Sequence, residues 1–140
     1  MTTRIAVCGA AGRMGKAILE MCAQSAGVKA TAAIEQAGSP KLGMDAGEVA
    51  GMGTNGIRIV ADLSTVLDQF DVLIDFTVPE ATLANLKLCH AAGKRIIIGT
   101  TGFNDSQKVI IQSTAADIAI VLSPNMSIGV NLCFKLTELA

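Results

Sequence analysis

The feature that most constrains this chain is a short apolar run that leads directly into three evenly spaced glycines and then into a helical pattern. The apolar run spans residues 5–8, and the glycines are Gly9, Gly12 and Gly15. A strand that turns into a helix within a few residues needs backbone angles that a side chain forbids, and glycine lacks that side chain. The pattern therefore predicts the opening strand, turn and helix of an α/β domain.

The same turn predicts an anion site. In such a turn Gly9 supplies the reversal, Gly12 lets main chain approach a pyrophosphate, and Gly15 lets the helix pack close to the sheet. A helix start also presents unpaired N–H groups and a partial positive charge of about 0.5 e, which together hold a phosphate. Because Ala10 and Ala11 separate the first two glycines, the spacing is Gly-x-x-Gly-x-x-Gly rather than the strict Gly-x-Gly-x-x-Gly. A helix-packing turn without a ligand is the alternative.

A carboxylate follows the second apolar segment. Residues 28–34 lead into Glu35, at the distance from the glycines expected for the acidic residue that binds an adenosine ribose. Its charge would repel a 2′-phosphate by up to ~4 kcal/mol for unit charges about 4 Å apart at an effective dielectric near 20. Gln36 offers no charge to offset this, although Arg13 and Lys16 could. Glu35 therefore favours NADH over NADPH, unless it is only a solvated strand end.

Strand-like and helical patterns alternate along the chain, which predicts an α/β domain with a doubly wound, mostly parallel sheet of the Rossmann type. Hydrophobic residues make up 51% of the chain, as expected for strands buried on both faces. The length of 140 residues fits one dinucleotide-binding domain over 1–140. Further strands are predicted at 71–76, 95–98 and 118–122, and helices at 16–24, 63–69, 79–92, 105–116 (capped by Asn104 or Asp105) and 128 onward.

The pattern breaks between residues 36 and 56, where glycine, serine, proline and aspartate replace any period. A stretch of this length without periodicity is uncommon inside a compact domain and is usually a binding loop or a mobile one. We interpret it as a mobile loop near the adenosine end, with a disordered insertion as the equal alternative.

Composition excludes several classes of function. A formal net charge of −1 and scarce aromatic residues argue against nucleic acid. No apolar run approaches the ~20 residues that span a membrane, and no residues have metal-ligand spacing. Met1–Arg4 leads into the first strand without a signal peptide, so we expect a cytoplasmic protein. Buried, reduced thiols are expected at all the cysteines, which are Cys8, Cys22, Cys89 and Cys133.

Three predicted strand ends are expected to line one crevice, because ligands of open α/β sheets lie beyond the carboxyl ends of the strands. These ends are Phe76–Thr77 after the predicted strand 71–76, 99–103 after the strand 95–98 and 123–126 after the strand 118–122. Their small residues allow backbone to approach a nicotinamide and its ribose, and Asn125 can bond the carboxamide or a ribose hydroxyl. Each end, taken singly, also fits an ordinary strand-to-helix turn.

Four motifs, in this order and spacing, resemble the dihydrodipicolinate reductase family, also called 4-hydroxy-tetrahydrodipicolinate reductase. They are Gly9–Gly15, Asp75–Thr77, Gly99–Phe103 and Asn125–Asn131, and Asp45–Glu48 fits as well. The resemblance covers the whole chain. It implies an oxidoreductase of diaminopimelate and lysine biosynthesis that transfers hydride from NADH or NADPH to a cyclic unsaturated imine dicarboxylate.

The resemblance also implies roles for particular residues. The residues expected to contact the pyrophosphate are Gly9, Ala10, Ala11, Gly12, Arg13 and Met14. Glu35 is expected to bind the adenosine ribose. Contacts to the nicotinamide fall on Gly99, Thr100 and Thr101, with Ser123, Pro124, Asn125 and Met126 on its far side. Thr101 is also expected to touch substrate. Ala11 departs from the glycine of many members, and Gln36 departs from an arginine that often favours NADPH, which strengthens the NADH prediction.

Members of this family continue into a second domain, with a histidine and a lysine for substrate binding and proton donation and a sheet that forms the tetramer. The helical pattern over 131–140 stops without a closing signal, so we expect further residues to be missing. His90 is expected to be a surface or packing residue, and no catalytic residue is expected within 1–140. This part alone is expected to be a monomer that binds cofactor without turnover, and the complete enzyme a homotetramer.

Two other functions stay open. One is a different oxidoreductase on the same scaffold. A short-chain dehydrogenase, however, needs a catalytic tyrosine, and the chain has none. An aldehyde-oxidising enzyme needs a nucleophilic cysteine at a helix start, whereas the cysteines of this chain fall inside predicted strands or helices. The other is a non-catalytic nucleotide-sensing module, which a gene encoding only these residues would favour.

Overall fold

Six strands form one parallel sheet in the computed structural model, which describes residues 1–139. The strands are β1 (Thr3–Cys8), β2 (Val28–Ile34), β3 (Ile59–Val60), β4 (Val72–Asp75), β5 (Arg95–Ile98) and β6 (Ile120–Leu122). Their order is β3-β2-β1-β4-β5-β6, with every neighbouring pair parallel. The predicted doubly wound sheet is confirmed, and its switch point lies between β1 and β4.

The connections between strands are helical. They are α1 (Arg13–Gln24), α2 (Ala46–Ala50), a 3₁₀ helix (Leu63–Gln69), α3 (Pro79–Ala91) and α4 (Asp105–Thr114), and α5 (Ile128–Leu139) follows β6. α3 opens on Pro79, where the missing N–H costs nothing. α4 opens on a reciprocal capping box between Asn104 and Gln107, so Asn104 rather than Asp105 is the cap. Within the described residues, no helix combines the length and the apolar character needed to cross a membrane.

Apolar side chains pack on both faces of the sheet. One cluster joins the 3₁₀ helix, α3 and α4 to the sheet through residues such as Phe70, Leu73 and Leu86. The other joins α1 and α2 to the opposite face through residues such as Val7, Leu19 and Ile59. Burial on both faces explains why the strands are continuous apolar runs.

Strand register brings the functional segments to one edge. Cys8 at the end of β1 is the partner of Asp75 at the end of β4, and Asp75 is in turn the partner of Ile98 at the end of β5. Ile98 pairs with Leu122 at the end of β6. The turns that follow these strands therefore start side by side at the carboxyl edge of the sheet.

The segment 36–56 is more regular than the sequence predicts. It contains α2, and one side chain, Asp45, organises the loop around that helix. The Asp45 carboxylate accepts backbone hydrogen bonds of 2.8–3.1 Å from Asn55, Glu48, Gly56 and Gly47. These bonds, that of Asn55 foremost, hold the pKa of Asp45 below its usual value. The prediction of an irregular segment is wrong at α2, because five helical residues are too few to show a period.

The cysteines separate into two groups. Cys8, Cys22 and Cys89 are buried, and all are free thiols. Cys133 on α5 is exposed, so the prediction of a buried thiol is wrong there. Its helix presents every residue from 131 to 138 to solvent, and the apolar pattern alone does not reveal whether another element covers such a helix.

Candidate functional site

The glycine turn between β1 and α1 is built for residues without a side chain. Gly9 has a φ of +68°, a left-handed conformation that L side chains rarely adopt. A Cβ at Gly15 would overlap the Gly9 carbonyl oxygen and the Ala10 Cα. A Cβ at Gly12 would lie 3.1 Å from the same Gly9 oxygen. The chain therefore passes so close to itself here that larger residues would open the turn.

The start of α1 has no side-chain cap. Its N-cap is Gly12, which offers no side-chain acceptor, and the first turn contains no acidic residue. Among the described residues, the backbone N–H groups of Arg13 and Met14 have no hydrogen-bond partner. Unpaired N–H groups combined with the helix dipole attract an anion. The N-terminus of α1 is therefore the anion-binding end of this turn.

The three amides before α1 are already occupied. The Ala10 N–H donates to the Ile34 carbonyl at 3.1 Å, and the Gly12 N–H donates to the Gly9 carbonyl at 2.9 Å. The Ala11 N–H donates to Glu35 Oε2 at 3.0 Å. The structure thus leaves the first helical amides open to an anion, rather than all of the amides beside the glycines.

Glu35 lies against the glycine turn. Besides the bond from Ala11, its Oε1 accepts the Gln36 N–H at 3.0 Å. Both oxygens are thereby oriented, and each keeps a lone pair for a further donor. Glu35 lines a cavity of about 250 Å³ together with Gly9, Gln36, Thr77 and other residues. We name this cavity the glycine-side cavity.

A second cavity, of about 310 Å³, lies beyond β5 and β6. Its lining includes Thr100, Thr101, Phe103, Lys108 and Pro124, and we name it the far-side cavity. Sequence reasoning missed Lys108. Its position one turn into α4 was the available signal, because the start of that helix faces the carboxyl edge of the sheet.

Gly99 is required by an aromatic neighbour. A Cβ at position 99 would overlap the ring of Phe76. The loops after β4 and β5 are therefore in direct contact, with the Phe76 ring against the Gly99 backbone.

The turn after β6 is held by its own polar groups. The Ser123 hydroxyl donates to the Asn125 carbonyl, and the Ser127 N–H donates to Asn125 Oδ1, both at 2.8 Å. The side-chain oxygen of Asn125 is thus occupied, which leaves its NH₂ group for a ligand. Met126 is 43% exposed.

The predicted site residues do not all meet in one cavity. Gly9 and Glu35 line the glycine-side cavity, and Thr100, Thr101 and Pro124 line the far-side cavity. The side chain of Met14 lines a separate apolar groove along α1. The residues that line neither cavity are Ala10, Ala11, Gly12, Arg13, Gly99, Ser123, Asn125 and Met126.

A buried polar cluster lies between the two cavities, and sequence reasoning, which named Asp75–Thr77 and Thr100, missed their connection through Thr82 and Asn85. Asp75 and Thr82 are 0% exposed and Thr100 is 3% exposed. The Thr77 hydroxyl donates to Asp75 Oδ1 at 2.6 Å, and Asn85 donates to Asp75 Oδ2 at 2.8 Å. An acidic residue at the end of an apolar strand was the available signal, as it was for Glu35.

A metal site or a reactive histidine or cysteine side chain would be a further source of chemistry outside the two cavities in the described part of the chain. Residues 1–139 contain no group of three or more histidine, cysteine or acidic side chains that could hold a metal. His90 is partly exposed, and its Nε2 lies 2.8 Å from Asp117 Oδ2 on the surface. Burial raises the pKa of the Cys8 thiol well above its usual value and that of Cys89 to about 12, so neither is a ready nucleophile.

Comparison with known proteins places the sequence among reductases. The chain is 52% identical over 140 residues to a 4-hydroxy-tetrahydrodipicolinate reductase of Saccharophagus degradans, covering 100% of this chain and 52% of that protein. It is 49% identical to the protein of the same name from Methylococcus capsulatus, with the same coverage. The chain thus spans about half the length of the curated relatives it matches.

Solved structures share the fold. Dipicolinate-bound dihydrodipicolinate reductase from Paenisporosarcina sp. TG-14 superposes with a TM-score of 0.77 at 23% identity, over 100% of this chain and 54% of that one. The WlbA dehydrogenase from Bordetella pertussis, in complex with NADH and UDP-GlcNAcA, superposes with a TM-score of 0.69 at 18% identity, over 99% of this chain and 42% of that one. The model of the protein family described as "Dihydrodipicolinate reductase, N-terminus" matches residues 3–126. On this match and on its kinship with the bacterial reductases, the chain belongs to the dihydrodipicolinate reductase family, of which it contains the N-terminal part.

Proposed function

We propose that residues 1–140 are the nicotinamide-dinucleotide-binding domain of a reductase of diaminopimelate and lysine biosynthesis. The enzyme would transfer hydride to the cyclic unsaturated imine dicarboxylate 4-hydroxy-tetrahydrodipicolinate and yield tetrahydrodipicolinate. The observation that carries this proposal is the uncapped start of α1, with Glu35 fixed beside it. The names of the relatives supply the reaction.

The two cavities suggest how a dinucleotide would lie. The N–H groups of Arg13 and Met14 would hold the pyrophosphate, since no group of the described chain occupies them. Glu35 would accept the adenosine ribose hydroxyls in the glycine-side cavity. The nicotinamide would reach the far-side cavity, bordered by Gly99, Thr100 and Thr101, with residues 123–126 on its far side. A structural neighbour that holds NADH supports this use of the fold.

The chemistry of the domain is binding and orientation. The bound dinucleotide would supply the hydride. Thr101 would form a hydrogen bond to the substrate through its hydroxyl, because this residue is exposed and lines the far-side cavity. The proton donor and the contacts that form a tetramer are proposed to lie outside residues 1–140, as the resemblance to the family implies.

This assignment is tested by titrating NADH into purified residues 1–140 and by assaying the full gene product with the imine dicarboxylate. We expect NADH to bind in the micromolar range, the domain to be monomeric by light scattering, and turnover to need the full product. Absence of NADH binding at millimolar concentration would remove the proposal. Turnover by residues 1–140 alone would disprove the placement of the proton donor outside them.

We further propose that Glu35 makes NADH the preferred cofactor, with NADPH still accepted. Glu35→Arg is expected to weaken NADH binding and to improve NADPH binding, because a guanidinium attracts the 2′-phosphate that a carboxylate repels. Dissociation constants for both cofactors measure the change. Glu35→Gln is the matched control, because it keeps an acceptor for the Ala11 N–H but removes the charge. It should reduce the preference for NADH over NADPH without reversing it. Unchanged selectivity in both variants would show that Glu35 does not face the ribose.

A further inference from the structure

We propose that Asp75 is a positioning residue, which fixes the loop after β4 and the loop after β5, at the glycine-side and far-side cavities, through a chain of buried hydroxyl groups. The members of this Asp75 network are Asp75, Thr77, Thr82, Asn85 and Thr100. The inference rests on the proposed function, in which the two cavities hold the two halves of the dinucleotide. It assigns the network the task of keeping these cavities in a fixed relative position.

The carboxylate at the centre is fully buried and surrounded by donors. Asp75 Oδ1 accepts the Thr77 N–H at 3.0 Å and the Thr77 hydroxyl at 2.6 Å, and Oδ2 accepts the Asn85 amide at 2.8 Å. A buried carboxylate without such partners is costly. In the part of the chain that the structure describes, no buried side-chain polar atom lacks a partner. The network is therefore satisfied as it stands.

Hydroxyl groups carry the connection from one loop to the other. Thr100 Oγ1, in the loop after β5, shares the Thr77 N–H of the loop after β4 with Asp75 Oδ1, each at 3.0 Å. Thr100 Oγ1 also lies 2.8 Å from Thr82 Oγ1 on α3. The Gly99 N–H adds a backbone bond of 2.9 Å to the Asp75 carbonyl. The two loops cannot shift independently without breaking these bonds.

The network spans the two cavities. Thr77 and Asn85 line the glycine-side cavity, whereas Thr100 lines the far-side cavity. The methyl group of Thr77 also supports the glycine turn, since a Cβ at Gly9 would lie 3.3 Å from Thr77 Cγ2. Neither Asp75 nor Thr82 lines either cavity, so their polar groups serve the loops rather than a ligand.

Stability alone gives little reason for a buried polar network at this place. Replacing hydrogen-bonded partners in a core by well-packed apolar groups of the same shape is often nearly neutral or stabilising. A satisfied polar network instead selects one arrangement of the groups that it joins. Displacement of a bound reactant by about 1 Å can cost roughly 10²-fold in rate, so fixing the two loops has a functional consequence.

The test uses Thr82, which is fully buried and has no access to a ligand. Thr82→Val keeps the shape of the side chain and removes the hydroxyl, whereas Thr82→Ser keeps the hydroxyl. In the full gene product, we expect Thr82→Val to raise the dissociation constant of NADH roughly fivefold or more and to lower kcat/KM by a larger factor. Thr82→Ser should restore both values to within about twofold of the wild type.

Leu86→Val is the matched control for lost stability. Leu86 is 1% exposed on the same helix and belongs to the adjoining core cluster, so its truncation weakens packing without touching the network. It should lower the melting temperature and leave NADH binding unchanged. If Leu86→Val and Thr82→Val change the dissociation constant by the same factor, the network is merely structural and the inference is overturned.

Asp75→Asn provides a second variant at the centre. Its amide oxygen can accept from Thr77, and a turned Asn85 amide can accept from its new NH₂ group. Its loss of affinity is therefore expected to be smaller than that of Thr82→Val. A larger loss with the fold intact would mean that charge rather than positioning is the function of Asp75, and would overturn the inference.

Failure of the proposed function is distinguishable from failure of this inference. If the wild-type protein does not bind NADH, the proposed function fails. Amide hydrogen exchange of residues 76–78 and 99–102 then decides the inference without a ligand. Positioning predicts faster exchange in both loops of Thr82→Val than of Leu86→Val, and equal exchange would overturn it.

Discussion

At the scale of single residues, Gly15 shows why a small side chain is indispensable at one place in this fold. Gly15→Ala is expected to destabilise the protein by about 1–3 kcal/mol, because its Cβ would overlap backbone atoms that have no rotamer to move into. The Gly9 carbonyl and the Ala10 Cα are those atoms. Urea unfolding measures the change, and NADH affinity should fall in parallel as the turn opens.

Gly38→Ala is the control for the previous substitution. A Cβ at Gly38 meets nothing within 4 Å, and its φ is not in the positive range. The free energy of unfolding of the variant should therefore lie within ~1 kcal/mol of the wild-type value or slightly above it. Equal effects at positions 15 and 38 would show that the close approach of α1 to the turn is not what requires glycine.

Residue identity alone was enough to single out Gly9, Gly15 and Glu35, because a glycine run and an acidic strand end are local signals. It was not enough for Thr82 or Asn85. These are ordinary polar residues within a helix, and their importance arises only from what lies across from them in the folded chain.

At the scale of elements, an ion pair ties the start of β1 to the residue before β4. Arg4 Nη2 lies 2.6 Å from Asp71 Oδ1, and the Arg4 N–H donates to Asp71 Oδ2 at 2.9 Å. The side-chain bonds from Arg4, first among the causes, lower the pKa of Asp71 from 3.8 to about 2. Both groups are partly exposed, so the pair matters most as a link between neighbouring strands.

The lowered pKa predicts a pH dependence of definite sign. Between pH 3.8 and about 2 the folded protein binds fewer protons at Asp71 than the unfolded chain does, so this contribution to stability is complete above that window and is lost as pH falls through it. The stability difference between the wild type and Asp71→Asn should therefore shrink as pH falls from 4 to 2. Thermal unfolding at several pH values measures it.

Arg4→Gln is the companion variant for the pH experiment. It removes the cause of the lowered pKa, and so it should flatten the dependence on pH over the same window. A stability difference between the wild type and Asp71→Asn that stays constant from pH 4 to 2 would contradict the assignment.

Element boundaries followed from sequence where a strong local signal existed. The period and Pro79 fixed α3, and the capping residues fixed the start of α4. α2 is capped by Asp45 and Gly51, but its five residues are too few to show a period. Asp45 also organises the loop by reaching Asn55 and Gly56, ten and eleven residues away. The 3₁₀ geometry of residues 63–69 likewise depends on how that segment packs beneath the sheet.

At the scale of the whole molecule, thiol reactivity reports the packing. In residues 1–140, Cys133 is exposed and the other three cysteines are buried. An aromatic disulfide reagent should therefore modify one thiol quickly and the remaining three only upon unfolding, because reaction needs both access and a thiolate. Absorbance of the released thiolate counts the equivalents.

Cys133→Ser is the control for this count and should abolish the fast phase without changing the slow one. Fast reaction of two or more thiols in the wild type would mean that the core clusters around Cys8, Cys22 or Cys89 are open in solution. Protection of Cys133 in the full gene product, but not in residues 1–140, would show that a further part of the protein covers α5.

The sequence by itself determined the class of fold, the alternation of strands and helices outside residues 36–60, the glycine turn and the family. These follow from hydrophobic periodicity, from backbone angles that only glycine adopts, and from motifs read along the chain. The tertiary structure alone decided which amides stay open to an anion and which groups fix the crevice. Glu35 takes the N–H of Ala11 from 24 residues away, and Thr100 takes that of Thr77 from 23 residues away. Such contacts depend on strand register and helix packing, which bring distant residues within hydrogen-bond reach only once the whole sheet has formed.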